Sequence, residues 1–144
     1  VHSAYAAVIP LFIKKLLKHE QPIINGDGSN SRDFTYIDNI ININMLALET
    51  LSPKAFNQIY NGAGGENTSV LELEQLITKN LSAYDNCIDC IAPMFGPKRI
   101  GDIKHSKASI SKAKELLGYS PVCTFEYGLR QTIDWYCTNL KGKI

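Results

Sequence analysis

Apolar and polar positions alternate along this chain in two periods, one helical and one extended. Leu11, Ile13, Leu16 and Leu17 recur at helical spacing after Pro10, with Lys14, Lys15 and Lys18 elsewhere on the surface. Proline suits a first helical turn, where its missing N–H would be unpaired anyway. The pattern predicts a helix over residues 10–19, ended by Gln21-Pro22. Ile23-Ile24-Asn25 reads as a short strand, residues 26–30 as a loop, and residues 33–37 as a second strand. Asp38 is placed to cap the next helix. Ile41, Met45 and Leu48 carry that helix to about Leu51, where Ser52-Pro53 stops it. Residues 58–61 read as a third strand before the Gly62-Ala63-Gly64-Gly65 turn.

Ser69-Val70-Leu71-Glu72 has the form of a capping box, in which serine and glutamate satisfy reciprocal N–H groups. Leu73, Leu76, Ile77 and Leu81 then line one helix face. Residues 88–91 suggest a fourth strand, and residues 94–105 a loop rich in glycine and basic residues. Ser109 is expected to cap a helix burying Ile110, Ala113 and Leu117, with Gly118 ending it in the left-handed position. Thr124 is expected to cap a last helix with Phe125, Leu129, Ile133 and Tyr136 on one face and Trp135 in the core. The tail, residues 141–144, is expected to fray. The fold expected is one compact α/β unit of short strands alternating with helices.

Composition narrows the function classes. A net charge of +1 over 144 residues gives no electrostatic footing for nucleic acid or a membrane surface. The longest apolar run, residues 6–13, is broken by Pro10 and is too short to span a bilayer. It has neither the basic leader nor the cleavage pattern of a signal peptide. The chain starts Val1-His2-Ser3 and its first methionine is Met45, so it is read as a fragment whose natural start is missing. Cys87-Ile88-Asp89-Cys90 has the spacing of half a zinc site or a redox pair, but Cys123 and Cys137 are far apart and no histidine pair completes a ligand set. Four reduced thiols in a cytoplasmic protein, with no metal site, are expected.

The candidate chemistry lies in two polar, glycine-flanked loops. One is Gly26-Asp27-Gly28-Ser29-Asn30-Ser31-Arg32-Asp33-Phe34; the other is Arg99-Ile100-Gly101-Asp102-Ile103-Lys104-His105-Ser106. Guanidinium is planar, permanently charged, and matched to phosphate oxygens in a bidentate fork. Arg32 and Arg99 converging on one spot would hold a pyrophosphate, and a nearby Asp would accept from a ribose. That describes a site for a nucleoside-diphosphate sugar.

Several further segments then carry a resemblance. Ala4-Tyr5-Ala6-Ala7-Val8-Ile9-Pro10, Ile24-Asn25-Gly26-Asp27-Gly28, Ser31-Arg32-Asp33-Phe34, Ile59-Tyr60-Asn61, Arg99-Ile100-Gly101-Asp102, Ser111-Lys112-Ala113, Leu116-Leu117-Gly118-Tyr119 and Pro121 occur in this order. Together they make the chain similar to the carboxy-terminal half of an extended short-chain dehydrogenase/reductase acting on nucleotide sugars. Within that group it resembles the bacterial UDP-N-acetylhexosamine 4-epimerases of surface-polysaccharide synthesis, such as UDP-N-acetylglucosamine 4-epimerase. The resemblance implies that Arg32 and Arg99 hold the pyrophosphate and that Asp102 accepts from the ribose hydroxyls. It places Ile23 and Asn25 along the uracil, Val8 and Pro10 where the chain closes over the nucleotide, and Phe34 at the family's aromatic position after the Arg-Asp pair. Ser106 falls at the sugar pocket, where a small side chain leaves room for an N-acetyl group.

The same resemblance marks what this chain lacks. No tyrosine is followed four residues on by lysine, so the catalytic Tyr-x-x-x-Lys is missing. The dinucleotide fingerprint is a Gly-rich turn between a first strand and helix, and Gly62-Ala63-Gly64-Gly65 is read as a plain strand-to-helix turn. Both belong to an amino-terminal NAD-binding Rossmann half. The implied parent oxidises the sugar at C4 with NAD, lets the 4-keto sugar turn over, and returns hydride to the other face. This fragment would grip the UDP-sugar, bind no NAD alone, and expose an apolar face that the missing half or self-association would cover. Dehydratases and decarboxylases of the same fold share most of these motifs, and a stand-alone binding module without chemistry remains a further alternative.

Overall fold

The computed structural model describes residues 8–139. The matching residues 4–7 and the tail expected to fray, residues 141–144, lie outside the described residues. The elements run in the order α1 (Val8–Leu17), β1 (Ile23–Asn25), β2 (Ser31–Arg32), α2 (Ile37–Glu49), a 3-10 turn (Pro53–Ala55), β3 (Thr68–Ser69), α3 (Val70–Ser82), a second 3-10 turn (Asn86–Cys90), β4 (Met94–Gly96), β5 (His105–Ser106), α4 (Ser111–Leu117) and α5 (Phe125–Asn139). Mixed α/β character with very short strands is as expected. Two compact units form where one was anticipated: the first holds the chain up to Asn30, Ser69–Lys104 and the part from Leu129, the second Ser31–Thr68 and His105–Gly128.

The first unit packs α1 against α3 and α3 against the second 3-10 turn. Phe12, Ile13 and Leu16 of α1 meet Leu73, Ile77 and Leu81 of α3, with Ile24, Ile88, Leu129 and Ile133 also buried. Full burial of one such side chain stabilises by about 1.5–3 kcal/mol. The capping box forms as read: Ser69 Oγ accepts from the Glu72 N–H at 3.2 Å, and Glu72 Oε2 accepts from the Ser69 N–H at 2.8 Å. The Ser69 N–H, with the Ser69 hydroxyl also donating to Oε2 at 2.8 Å, holds the Glu72 carboxyl below its usual range. Trp135, expected in the core, is exposed instead.

The second unit buries Ile43 of α2, Ala55, Ala63, Tyr119 and the α4 residues Ala113 and Leu117. The Tyr119 hydroxyl donates to the Ala63 carbonyl at 2.7 Å, which satisfies a phenol that is otherwise fully buried. Asn39, 2% exposed, accepts from the N–H groups of Val122 and Cys123 and donates to the Cys123 carbonyl. Gly128 sits where a Cβ would come within 2.4 Å of Tyr36, so only a glycine lets α5 ride this close. Thr124 caps α5 as expected, its Oγ1 accepting from the Tyr127 N–H.

Several sequence expectations are corrected. The second strand lies at Ser31–Arg32; beyond it the Asp33 carboxylate is bonded to the Gly64 N–H and Phe34 stacks on Phe125. Asp38 is inside α2; Tyr36 is the N-cap residue, with no side-chain cap bond. Ser109 likewise gives way to Ile110 at the start of α4, although Gly118 ends that helix with φ +67°. Residues 88–90 belong to the second 3-10 turn, with Ile91 as its C-cap residue, and the strand falls later, at β4. Ile41, Met45 and Leu48 form the helix but face solvent, while Asn39 and Ile43 face the core. Residues 58–61 are not a strand, and Ile59 is 88% exposed. A strand needs a neighbour for its N–H and C=O groups, and no sheet neighbour pairs with this segment among the described residues.

Glu74 on α3 is buried, with the Thr78 hydroxyl donating to it at 3.0 Å. Burial raises its carboxyl above the ordinary 4.5, outweighing the Thr78 bond. A folded value above the unfolded one means that its stabilising contribution is complete below the unfolded value and lost as pH rises through the folded value. Glu74→Gln is therefore expected to raise the Tm relative to the parent at pH 8 and to leave it nearly unchanged at pH 4. Thermal melts at the two pH values check this; an equal gain at both contradicts the assigned cause.

Candidate functional site

The first of the two predicted loops is built from strand ends. β1 pairs in parallel with β4, with Ile23 opposite Met94 and Asn25 opposite Gly96. The Gly26 N–H donates to the Gly96 carbonyl at 2.9 Å and closes that ladder. Asp27 then folds the loop on itself, its Oδ1 accepting from the Ser29 hydroxyl at 2.6 Å and the Ser29 N–H at 3.0 Å. The Ser29 hydroxyl is the main reason the Asp27 carboxyl lies below its usual range. Gly28 has φ +75°, and a Cβ there would meet Leu71 at 2.9 Å. Its carbonyl accepts from the Leu71 N–H, and the Asn30 carbonyl from the Val70 N–H. The loop thus satisfies N–H groups that the first turn of α3 cannot pair internally.

The second loop starts from β4. Arg99 is exposed and opens a turn in which the Asp102 N–H donates to the Arg99 carbonyl at 3.4 Å. Asn30 Nδ2 donates to Asp102 Oδ2 at 2.6 Å across 72 residues of chain. This bond fixes the orientation of the Asp102 carboxylate. Ile23, Asn25, Val8 and Pro10 belong to the same unit: the first two lie on β1, the last two in the opening turn of α1.

In the second unit, β2 pairs in parallel with β5. Ser31 stands opposite His105, and Arg32 opposite Ser106. The Asp33 N–H extends this ladder to the Ser106 carbonyl at 3.0 Å. Arg32 is half-buried, with Nη1 donating to the Ser31 carbonyl at 2.8 Å. Asp33 anchors the glycine turn: Oδ1 accepts from the Gly64 N–H and Oδ2 from the Gly65 N–H, both at 3.0 Å. Phe34 stacks on Phe125 with ring centroids 5.3 Å apart and borders a cavity of about 230 Å³ with Val122 and Cys123.

Two pairs distant in sequence are thus brought together, Arg32 with Ser106 and Asn30 with Asp102. Phe34 is primarily a packing partner of α5. Ser31, Asn67 and the anchoring role of Asp33 escaped the sequence reading; an Asp immediately after Arg32 and a Gly-Gly pair were its only trace. The N–H groups of Gly64 and Gly65 are engaged by Asp33, so this turn does not fit a dinucleotide phosphate. Among the described residues, no cluster of three or more His, Cys, Asp or Glu side chains is placed to hold a metal. No helix among them is long and apolar enough to cross a membrane.

Comparison with known proteins gives a consistent set of relatives. The family described as GDP-mannose 4,6 dehydratase matches residues 2–132. The UDP-glucose 4-epimerase of Mycolicibacterium smegmatis is 30% identical over 91% of this chain and 39% of its own. Among solved structures, the UDP-N-acetylglucosamine 4-epimerase of Methanobrevibacter ruminantium, in complex with UDP-N-acetylmuramic acid, is 36% identical with a TM-score of 0.80, over 95% of this chain and 41% of that one. The UDP-glucuronic acid 4-epimerase of Bacillus cereus, with UDP-glucuronic acid and NAD, is 31% identical with a TM-score of 0.79, over 92% and 40%. Other relatives are named as decarboxylases and a dehydratase. The chain spans about two fifths of the length of the curated relatives it matches. It belongs to the GDP-mannose 4,6 dehydratase family and corresponds to the carboxy-terminal half of an extended short-chain dehydrogenase/reductase of the epimerase kind.

Proposed function

We propose that this chain is the nucleotide-sugar-binding part of an NAD-dependent UDP-sugar 4-epimerase, taking UDP-N-acetylhexosamine in surface-polysaccharide synthesis. The observation that carries the reading is the register setting Arg32 opposite Ser106, a diphosphate ligand beside a sugar-pocket residue. The Asn30–Asp102 bond supports it by orienting the carboxylate assigned to the ribose. In this reading Arg32 and Arg99 neutralise the diphosphate, and Ile23 and Asn25 lie along the base. Val8 and Pro10 close over the nucleotide, and Phe34 backs the Arg32 segment. The nucleotide stays fixed while the sugar changes face.

NAD, when bound by the part of the relatives that this chain does not span, supplies the hydride acceptor. No residue here is assigned to that group, and the proposed partner is an amino-terminal Rossmann half. The outward side chains Ile41, Met45 and Leu48, with Leu48 79% exposed, and Ile59 beyond them offer apolar surface for it, or for self-association in its absence. The cytoplasm is the proposed compartment, where the exposed thiols of Cys87 and Cys90 stay reduced. Decarboxylase and dehydratase relatives keep a second reading in view, a different reaction on the same grip.

Losing one charged hydrogen-bonding partner costs about 1.5–3 kcal/mol. Calorimetry of UDP binding is expected to show losses of that order for Arg32→Ala and for Arg99→Ala. Unchanged affinity in both removes the diphosphate assignment. Ser106→Tyr is expected to weaken UDP-N-acetylglucosamine more than UDP-glucose, because the larger ring fills the space of the N-acetyl group. Equal losses for the two ligands contradict that role.

A further inference from the structure

The ladder between β2 and β5 is only two residues long, too short to fix its own register strongly. A slip of one residue in a strand pairing turns every side chain to the opposite face. Successive strand side chains alternate between faces, so Ser31 and His105 share one face, and Arg32 and Ser106 the other. The Ser31–His105 face carries a second set of bonds. Ser31 is 6% exposed, and its Oγ lies 2.8 Å from His105 Nδ1 and 2.8 Å from Asn67 Nδ2.

A serine hydroxyl has one proton and two acceptor lone pairs, and an amide nitrogen only donates. Asn67 Nδ2 donates into Ser31 Oγ. The hydroxyl proton then needs an acceptor, and His105 Nδ1 lies 2.8 Å away. Leaving that proton unpaired in a buried site would cost the desolvation of the hydroxyl. That proton order requires an imidazole that accepts at Nδ1 and carries its proton on Nε2.

We propose that Asn67, Ser31 and His105 form a proton-ordered clamp whose role is to hold Arg32 opposite Ser106 for nucleotide-sugar binding. The three are positioning residues: they lie on the face away from Arg32 and Ser106 and act through the register. The proposal rests on the nucleotide-sugar reading and adds to it the device that aligns its two parts.

Two measurements on the 144-residue chain test it. Long-range ¹H–¹⁵N spectra are expected to show His105 as the Nε2–H tautomer. Asn67→Asp replaces the donor by an acceptor, so the Ser31 hydroxyl turns to the new carboxylate and His105 switches to Nδ1–H. Asn67 is exposed, so this variant folds without disturbing the core. An Nδ1–H tautomer in the parent chain, or no switch in Asn67→Asp, overturns the proton order. In calorimetry with UDP-N-acetylglucosamine, Ser31→Ala, which removes both bonds, is expected to weaken binding by about tenfold, the scale of one lost hydrogen bond, whereas Asn67→Asp, which keeps both bonds in the reversed proton order, is expected to leave it nearly unchanged. Binding by the parent with undiminished affinity in Ser31→Ala overturns the clamp alone. No binding by the parent chain overturns the nucleotide-sugar reading, and the positioning role with it, while the tautomer result still reports on the proton order.

Discussion

The parallel pairing of Ser31–Arg32 with His105–Ser106 is the constraint on which the account depends. It joins two segments 74 residues apart in sequence. Each alone is an ordinary polar loop, and an arginine in such a loop is usually a solvated charge. Paired, they put a half-buried guanidinium beside a small exposed side chain, on the face opposite a buried hydroxyl. Backbone bonds supply the pairing, including the Asp33 N–H to the Ser106 carbonyl. Side-chain bonds around Ser31 and Asp33 then brace it from behind, on the Asn67 and Gly64–Gly65 segments. In the other unit, Asn30 reaches Asp102 and ties the preceding parts of the same two loops together.

Much of this was legible in the sequence where local physics decides the outcome. The Ser69–Glu72 capping box, the Gly118 helix end, the Thr124 cap and the β1 strand all follow from residues within a few positions of one another. The errors arise where a distant partner decides. Asp33 looked like a strand residue, but its carboxylate is claimed by two N–H groups more than 30 residues away. Residues 88–91 are apolar enough for a strand, yet β1 takes Met94–Gly96 as its neighbour. The candidate site was legible as residue types, because guanidinium, carboxylate and glycine are chemically distinctive. Its bracing was not, because serine and asparagine become informative only when burial and partners are seen.

The exposed apolar residues of α2 carry a related lesson. Ile41, Met45 and Leu48 supply helical periodicity, and periodicity correctly gave the helix. It did not say which face the described core would use; Asn39 and Ile43 took that place through Val122, Cys123 and α4. Residues 58–61 show the same division, strand-like in sequence but with no sheet neighbour among the described residues.

The most direct test of the central claim is a titration of the ¹⁵N-labelled chain with UDP-N-acetylglucosamine, followed by amide chemical shifts. The account predicts saturable shifts at Arg32, Asp33 and Ser106, moving together with those of Asn30 and Asp102 at one dissociation constant. Saturable shifts confined to other parts of the chain, or none at any of these five amides, would contradict it.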